Sequence, residues 1–120
     1  MDRERLEEFR RLLLSQLREL LRGADRTRQD LSQGLEPGLD LGDQAYLEQD
    51  LGFRIRVRER ERNLIWKIRE ALERIDRGTF GICQACGREI PEERLRARPV
   101  ATLCLDCKLR QEEEERRRER

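Results

Sequence analysis

Histidine is absent from this 120-residue chain, and aromatic residues make up only 4% of it. With so few large rings a broad globular core is not expected, and the apolar share of 36% falls below that of ordinary soluble domains. Long hydrophobic runs are missing too. No stretch approaches the roughly 18–20 apolar residues that a membrane span requires. The opening "MDRERLEEF" has no apolar signal-peptide core, so a cytoplasmic location is expected, where disulfides are rare. Nor is there an excess of one charge: 27 basic residues face 26 acidic ones, for a net charge of +1. The whole chain is therefore neither a polyanion binder nor a polyanion mimic, and electrostatic recognition must come from local clusters. Proline is scarce as well, with three in the chain and none before Pro37.

What is present is charge and leucine. Charged residues reach 44%, a mixture that suits long helices meeting along a narrow seam. Leu6, Phe9, Leu13, Gln16, Leu20, Ala24, Thr27 and Leu31 recur at three- and four-residue steps, which predicts a helix over residues 3 to about 32. Gly34, Pro37 and Gly38 stop it. A second helix is expected from Asp40 or Asp43, either of which can cap free amides, to about Arg77, ended by Gly78. Its expected seam is Leu47, Leu51, Ile55, Arg58, Arg62, Ile65, Ile68, Leu72 and Ile75. Some 35 residues of helix make a rod of about 50 Å.

The fold class expected is mainly α: a long antiparallel helical hairpin, or coiled coil, over residues 1–77, with its tip at about 34–45. Residues 78–120 are expected to form a small four-cysteine zinc-finger domain followed by a short C-terminal helix. Within it "REIPEERLRARPVATL" is read as a small turn or hairpin, and "KLRQEEEERRRER" as a solvated helix whose charges reflect exposure.

Cys83-x2-Cys86 and Cys104-x2-Cys107 flank a run of seventeen residues, inside the spacing of a four-cysteine zinc site. Two thiols on one tight knuckle cover two corners of a tetrahedron, and a distant second knuckle supplies the rest. Gly87, just after the second cysteine, permits the left-handed turn that aims backbone amides at the sulfurs. Without histidine, four thiolates are the only conventional soft ligand set. A redox CxxC would sit in a βαβ context, which is missing, and the paired knuckles suit zinc better than an iron–sulfur cluster. All four positions would be filled by protein, so the metal is expected to be structural and an enzymatic role is not.

A zinc knot beside a helical hairpin, with "DLGDQA" at the turn and "RERERNLIWKI", "FGICQACGREI", "RLRARP" and "LCLDCK" following in order, resembles the DksA/TraR family over about residues 40–108. Members of that family bind bacterial RNA polymerase. The family's tip signature, Asp-x-x-Asp-x-Ala, falls on Asp40, Asp43 and Ala45. The resemblance implies that the hairpin enters the polymerase secondary channel, between the β and β′ subunits, and touches the catalytic region with this acidic corner. Without the family, Asp40 and Asp43 read as helix caps; both roles fit one residue.

In members that respond to the alarmone ppGpp, basic residues hold the nucleotide, and the matching positions are Lys67, Arg98 and Lys108. Only Lys67 and Lys108 among the 27 basic residues are lysines, which suggests a geometric demand for the compact ammonium at both places, with chance as the rival explanation. Longer members carry an N-terminal extension, and this chain starts almost at the coil. Trp66 is expected to pack the coil against the zinc knot. The protein is expected to act as a monomer that touches neither membrane nor specific DNA sequence. Two other readings are a zinc-ribbon nucleic-acid binder using arginines 54, 56, 58, 60 and 62, and a thiol sensor in which oxidation ejects the metal. Acidic residues interleaved among those arginines argue against the former.

Overall fold

A computed structural model of the chain describes the backbone of residues 1–33 and 41–119 and the side chains of residues 1–23 and 49–119. Four helices are present among the described residues: α1 (Arg3–Gln33), α2 (Leu41–Arg77), α3 (Glu92–Ala97) and α4 (Leu105–Glu119). The only sheet-like pairing among them is one antiparallel bridge, Ile82 to Glu89.

α1 begins and α2 ends as local chemistry directs. Asp2 caps α1, its carboxylate accepting from the Arg5 amide at 2.9 Å and its carbonyl from the Leu6 amide at 3.1 Å. At the end of α2, Gly78 takes φ +75°, and its amide donates to Ile75 O while that of Thr79 donates to Arg74 O. This pair of bonds is a Schellman motif, which satisfies carbonyls a plain helix end would leave bare. The expected cap Asp40 lies outside the described residues.

α1 and α2 run antiparallel. Arg10, early in α1, pairs with Asp76, late in α2, at 2.7 Å, and Gly23, farther along α1, faces Glu61, earlier in α2. Contacts divide the chain into two compact groups: Met1–Leu13 with Ile68–Arg120, and Leu14–Lys67.

The first group holds the core. Phe9 and Leu13 from α1 are buried with Ile68, Ala71 and Ile75 from α2. Phe80, Ile90, Leu95 and Val100 close it from the segment that follows. The Phe9 and Phe80 rings stand 5.3 Å apart at 49°, a favourable tilted pair. Arg96 lies over the Phe9 ring at 5.7 Å while its guanidinium reaches Glu92 at 2.8 Å and Glu8 at 3.3 Å. Arg5 also meets Glu92, at 3.4 Å. These ion pairs are largely exposed, so each is worth at most about 1 kcal/mol. Burying a side chain such as Leu13 or Leu95 contributes about 1.5–3 kcal/mol. Apolar burial therefore holds the group together, and the ion pairs orient it.

Three expectations are corrected. "REIPEERLRARPVATL" is not a turn or hairpin but carries α3. Pro91, with φ −56°, precedes its first turn, Glu92 and Glu93 sit at the positive end of its dipole, and Leu95 is fully buried. In the second group the seam of α2 does not pass through Ile55 and Arg62, both exposed; it runs through Leu51, Arg54, Arg58, Glu61 and Ile65, all half-buried, at strictly alternating three- and four-residue steps. At Ile55 the misreading followed an apolar residue where the helix turns Arg54 inward. Trp66, finally, expected in a packing role, is 64% exposed. The α1 stripe is as expected from Leu6 to Leu20, and Ala24, Thr27 and Leu31 have side chains outside the described residues.

Gly81 also has positive φ, and a Cβ there would lie 3.2 Å from Met1 and 3.3 Å from Leu95, whereas one at Gly78 would meet nothing within 4 Å. Both alanine substitutions carry a backbone cost of about 1–2 kcal/mol. Gly81→Ala is expected to cost about 1 kcal/mol more than Gly78→Ala, from crowding against buried Leu95. Urea midpoints of the two variants test this, and equal midpoints would refute the close approach.

Candidate metal centre and its surroundings

The first knuckle is built by backbone bonds around Cys83. Its amide donates to Arg88 O at 2.8 Å, and the Gly87 amide returns to Cys83 O at 2.9 Å, a turn closed by Gly87 at φ +76°. The second knuckle opens α4: Cys104 precedes the helix, Cys107 lies in its first turn, and the Lys108 amide donates to Cys104 O at 3.0 Å. Cross-links hold the two in register, with the Gln84 amide on Thr102 O at 2.9 Å and Arg94 Nε on Leu103 O at 3.0 Å.

Their four Sγ atoms lie within 4.8 Å of one another, with Cys86 and Cys104 at 3.8 Å, and all four thiols are free. A tetrahedron with zinc–sulfur bonds of 2.3 Å has edges of about 3.8 Å. The donor set therefore fits a four-thiolate zinc ion, and such an ion would tie both knuckles together with no coordination position left for substrate. Cys83 is buried, Cys104 and Cys107 half-buried and Cys86 exposed.

Without metal the thiols differ in acidity. Backbone amides of Cys104 and Cys86 draw the Cys83 thiol down to about 6. Hydrogen bonding to Cys104, together with burial, pushes Cys107 up to about 12. The cluster thus favours the thiolate at Cys83 and the thiol at Cys107.

The other expected site residues are more scattered. Asp40 lies outside the described residues, and Asp43 and Ala45 fall in α2 with side chains outside them. Lys67 is exposed on α2, in the Leu14–Lys67 group. Arg98 and Lys108 belong to the other group. Arg98 is exposed at the end of α3, its amide donating to Arg94 O at 2.8 Å, and half-buried Lys108 reaches Gln111 at 3.4 Å. Arg96, which seats α3 against Phe9, was not singled out from sequence; it and Glu8 are 88 residues apart, and no local pattern announces such a pairing. No helix among the described residues is long and apolar enough to cross a membrane.

The profile of the N-terminal domain of DnaK suppressor protein DksA matches residues 5–75, and that of the prokaryotic DksA/TraR C4-type zinc finger matches residues 78–113. The chain belongs to the DksA/TraR family. Family likeness thus takes in α1 as well as the stretch from residue 40 onward. The RNA polymerase-binding transcription factor DksA of Caulobacter vibrioides is 39% identical over 116 residues, which span 97% of this chain and 82% of that protein. The Escherichia coli K12 protein of the same name is 39% identical over 108 residues, 90% of this chain and 72% of its own length. Among solved structures, transcription factor DksA2 from Pseudomonas aeruginosa superposes with a TM-score of 0.88 at 41% identity, covering 97% of this chain and 89% of that one.

One zinc per chain is expected from the purified protein, and none retained at stoichiometry after Cys86→Ser with Cys104→Ser, read by a colorimetric chelator. Because Cys107 is protonated at neutral pH, zinc uptake should release at least one proton per ion. Affinity should fall as the pH drops, steeply below about 6 where Cys83 also protonates. Calorimetry in two buffers of different ionisation enthalpy checks the proton count, and proton-neutral binding would contradict the assigned acidities.

Proposed function

We propose that this protein is a transcription factor that binds bacterial RNA polymerase directly, without reading DNA sequence. The observation that carries the reading is the family match over residues 5–113, together with relatives bearing the name RNA polymerase-binding transcription factor across most of their length. In this reading residues 1–77 act as the hairpin and residues 78–120 as its zinc-bound foot. Zinc held by Cys83, Cys86, Cys104 and Cys107 is structural, and the protein acts as a cytoplasmic monomer rather than an enzyme.

The hairpin enters the secondary channel between β and β′ and presents Asp40, Asp43 and Ala45 to the active centre. There the two carboxylates alter the stability of promoter complexes. A helix N-terminus favours anions, so acidic residues at the start of α2 also suit the local backbone. Small Ala45 lets another backbone come close. Lys67, Arg98 and Lys108 supply three cations for the phosphates of ppGpp at the contact with polymerase, each able to make charge-assisted hydrogen bonds.

Transcription in vitro with the cognate polymerase tests the tip. Asp43→Asn is expected to keep polymerase affinity within about twofold while losing the effect on promoter complexes; a variant that regulates normally would reject the assignment. For the nucleotide, Lys67→Ala with Lys108→Ala should remove enhancement by ppGpp and leave basal binding unchanged. Full enhancement in that double variant would show that the cations lie elsewhere.

A further inference from the structure

Between the end of α3 and the start of α4, residues 98–104 form neither helix nor strand, so no regular ladder holds the segment that delivers Cys104. Two of its carbonyls are fixed instead by donors from outside it: Thr102 O by the Gln84 amide at 2.9 Å, and Leu103 O by Arg94 Nε at 3.0 Å. The first is a backbone link from the other knuckle. The second comes from a side chain, and among the described residues no other side chain donates to a carbonyl of this segment. Elsewhere Arg5, Arg10, Arg54, Arg77, Arg96 and Arg117 all pair with carboxylates. Arg94, half-buried, gives its Nε to the main chain.

The carbonyl that Arg94 holds belongs to the peptide group joining Leu103 to Cys104, and no cis peptide bond occurs among the described residues. A trans peptide is flat, with its C=O and N–H pointing in opposite directions. Whatever fixes the oxygen therefore aims the amide the other way. Here the Cys104 amide hydrogen-bonds the Cys83 sulfur. Arg94 thus grips one edge of a rigid plate whose other edge rests on a ligand of the first knuckle. Donation to the oxygen also polarises the plate and strengthens its N–H as a donor. The helix that carries Arg94 is itself anchored. Leu95 is fully buried, and an arginine stands on either side of it in sequence, Arg94 bound to the second knuckle and Arg96 to Glu8 and the Phe9 ring.

We propose that Arg94 is a positioning residue of the metal centre, fixing the Leu103–Cys104 peptide so that its amide supports the Cys83 thiolate. The inference rests on zinc being held by the four cysteines. Four thiolates outweigh the charge of one zinc ion, so the filled centre is anionic as a whole. A donor aimed at a sulfur, with a guanidinium behind it, offsets part of that excess and orients the ligand. Methionine in place of Arg94 would keep most of the stem but release the oxygen, leaving the plate free to tilt away from Cys83. Arg96 supplies the comparison, since it lies on the same short helix and touches no knuckle.

The test uses the full-length protein, loaded with zinc or with cobalt(II) in its place, and sets Arg94→Met beside Arg96→Met. Arg94→Met is expected to speed zinc release to a chelator about tenfold, the low end of what outer partners of metal ligands contribute. It should also move the thiolate-to-cobalt absorption band to lower energy, because a sulfur deprived of a hydrogen bond gives up an electron more readily. Arg96→Met should leave both at their wild-type values. Release from Arg94→Met at the wild-type rate, an unmoved cobalt band, or equal acceleration in the two variants would overturn the proposal and leave the zinc reading intact. The wild-type protein gives a second measurement in which no variant has to fold. There the Arg94 Nε–H should exchange with solvent several-fold more slowly than that of Arg96, whose bonds are made by Nη2. Equal exchange would overturn the proposal as well. A wild-type chain that takes up no zinc would overturn the zinc reading and this role together.

Discussion

Four sulfurs within 4.8 Å of one another cannot all carry charge unless a cation sits among them. Holding that arrangement is the constraint around which the first compact group is organised. The knuckles alone are too short to do it, since each is a turn with a few backbone bonds. Support comes from outside. Leu95 of α3 fills the interior beneath Gly81, and Phe80 leans on Phe9 of α1. Arg96 binds α3 to the first turns of α1 through Glu8 and the Phe9 ring. The start of the chain is thus part of the zinc module, although Leu13 and Cys83 stand 70 positions apart in sequence (83 − 13).

This division explains why the core is small and one-sided. The residues fully buried or nearly so belong to Met1–Leu13 and Ile68–Arg120, where four segments converge. Among the described residues the Leu14–Lys67 group has two helices and no third layer, and its described seam residues reach only partial burial. With aromatics so scarce, the chain places two rings where layers meet. Two more are spent on the outside of α2, where they contribute nothing to the described core.

Much of this was legible in advance because the responsible signals are local. Glycine after a periodic run stops a helix, and Gly78 does so by the hydrogen bonds its positive φ permits. Two CxxC knuckles bring sulfurs together because the ligand geometry demands it. Other features were hidden because they depend on what arrives from elsewhere in the chain. The short helix α3 is stabilised by burial of Leu95 against distant residues, and nothing in "PEERLRA" alone forces it. The register of the α2 seam was misread at Ile55 because Arg54 occupies an inward position that patterning assigns to an apolar side chain, and at Arg62 because patterning does not choose between two adjacent charged residues, Glu61 and Arg62. Trp66 was expected to have a packing role, yet the turn of the helix carries it outward.

The three inward charges, Arg54, Arg58 and Glu61, have a mechanical meaning. Each sits where a leucine would cement the two helices, and each keeps part of its hydration by remaining only half-buried. The paired helices are consequently glued firmly by Leu13, Ile68 and Ile75 and only loosely along the polar stretch. Separating or bending the loose stretch sacrifices little buried apolar surface. Within the Leu14–Lys67 group the two helices can therefore part or slide without exposing a tightly packed core.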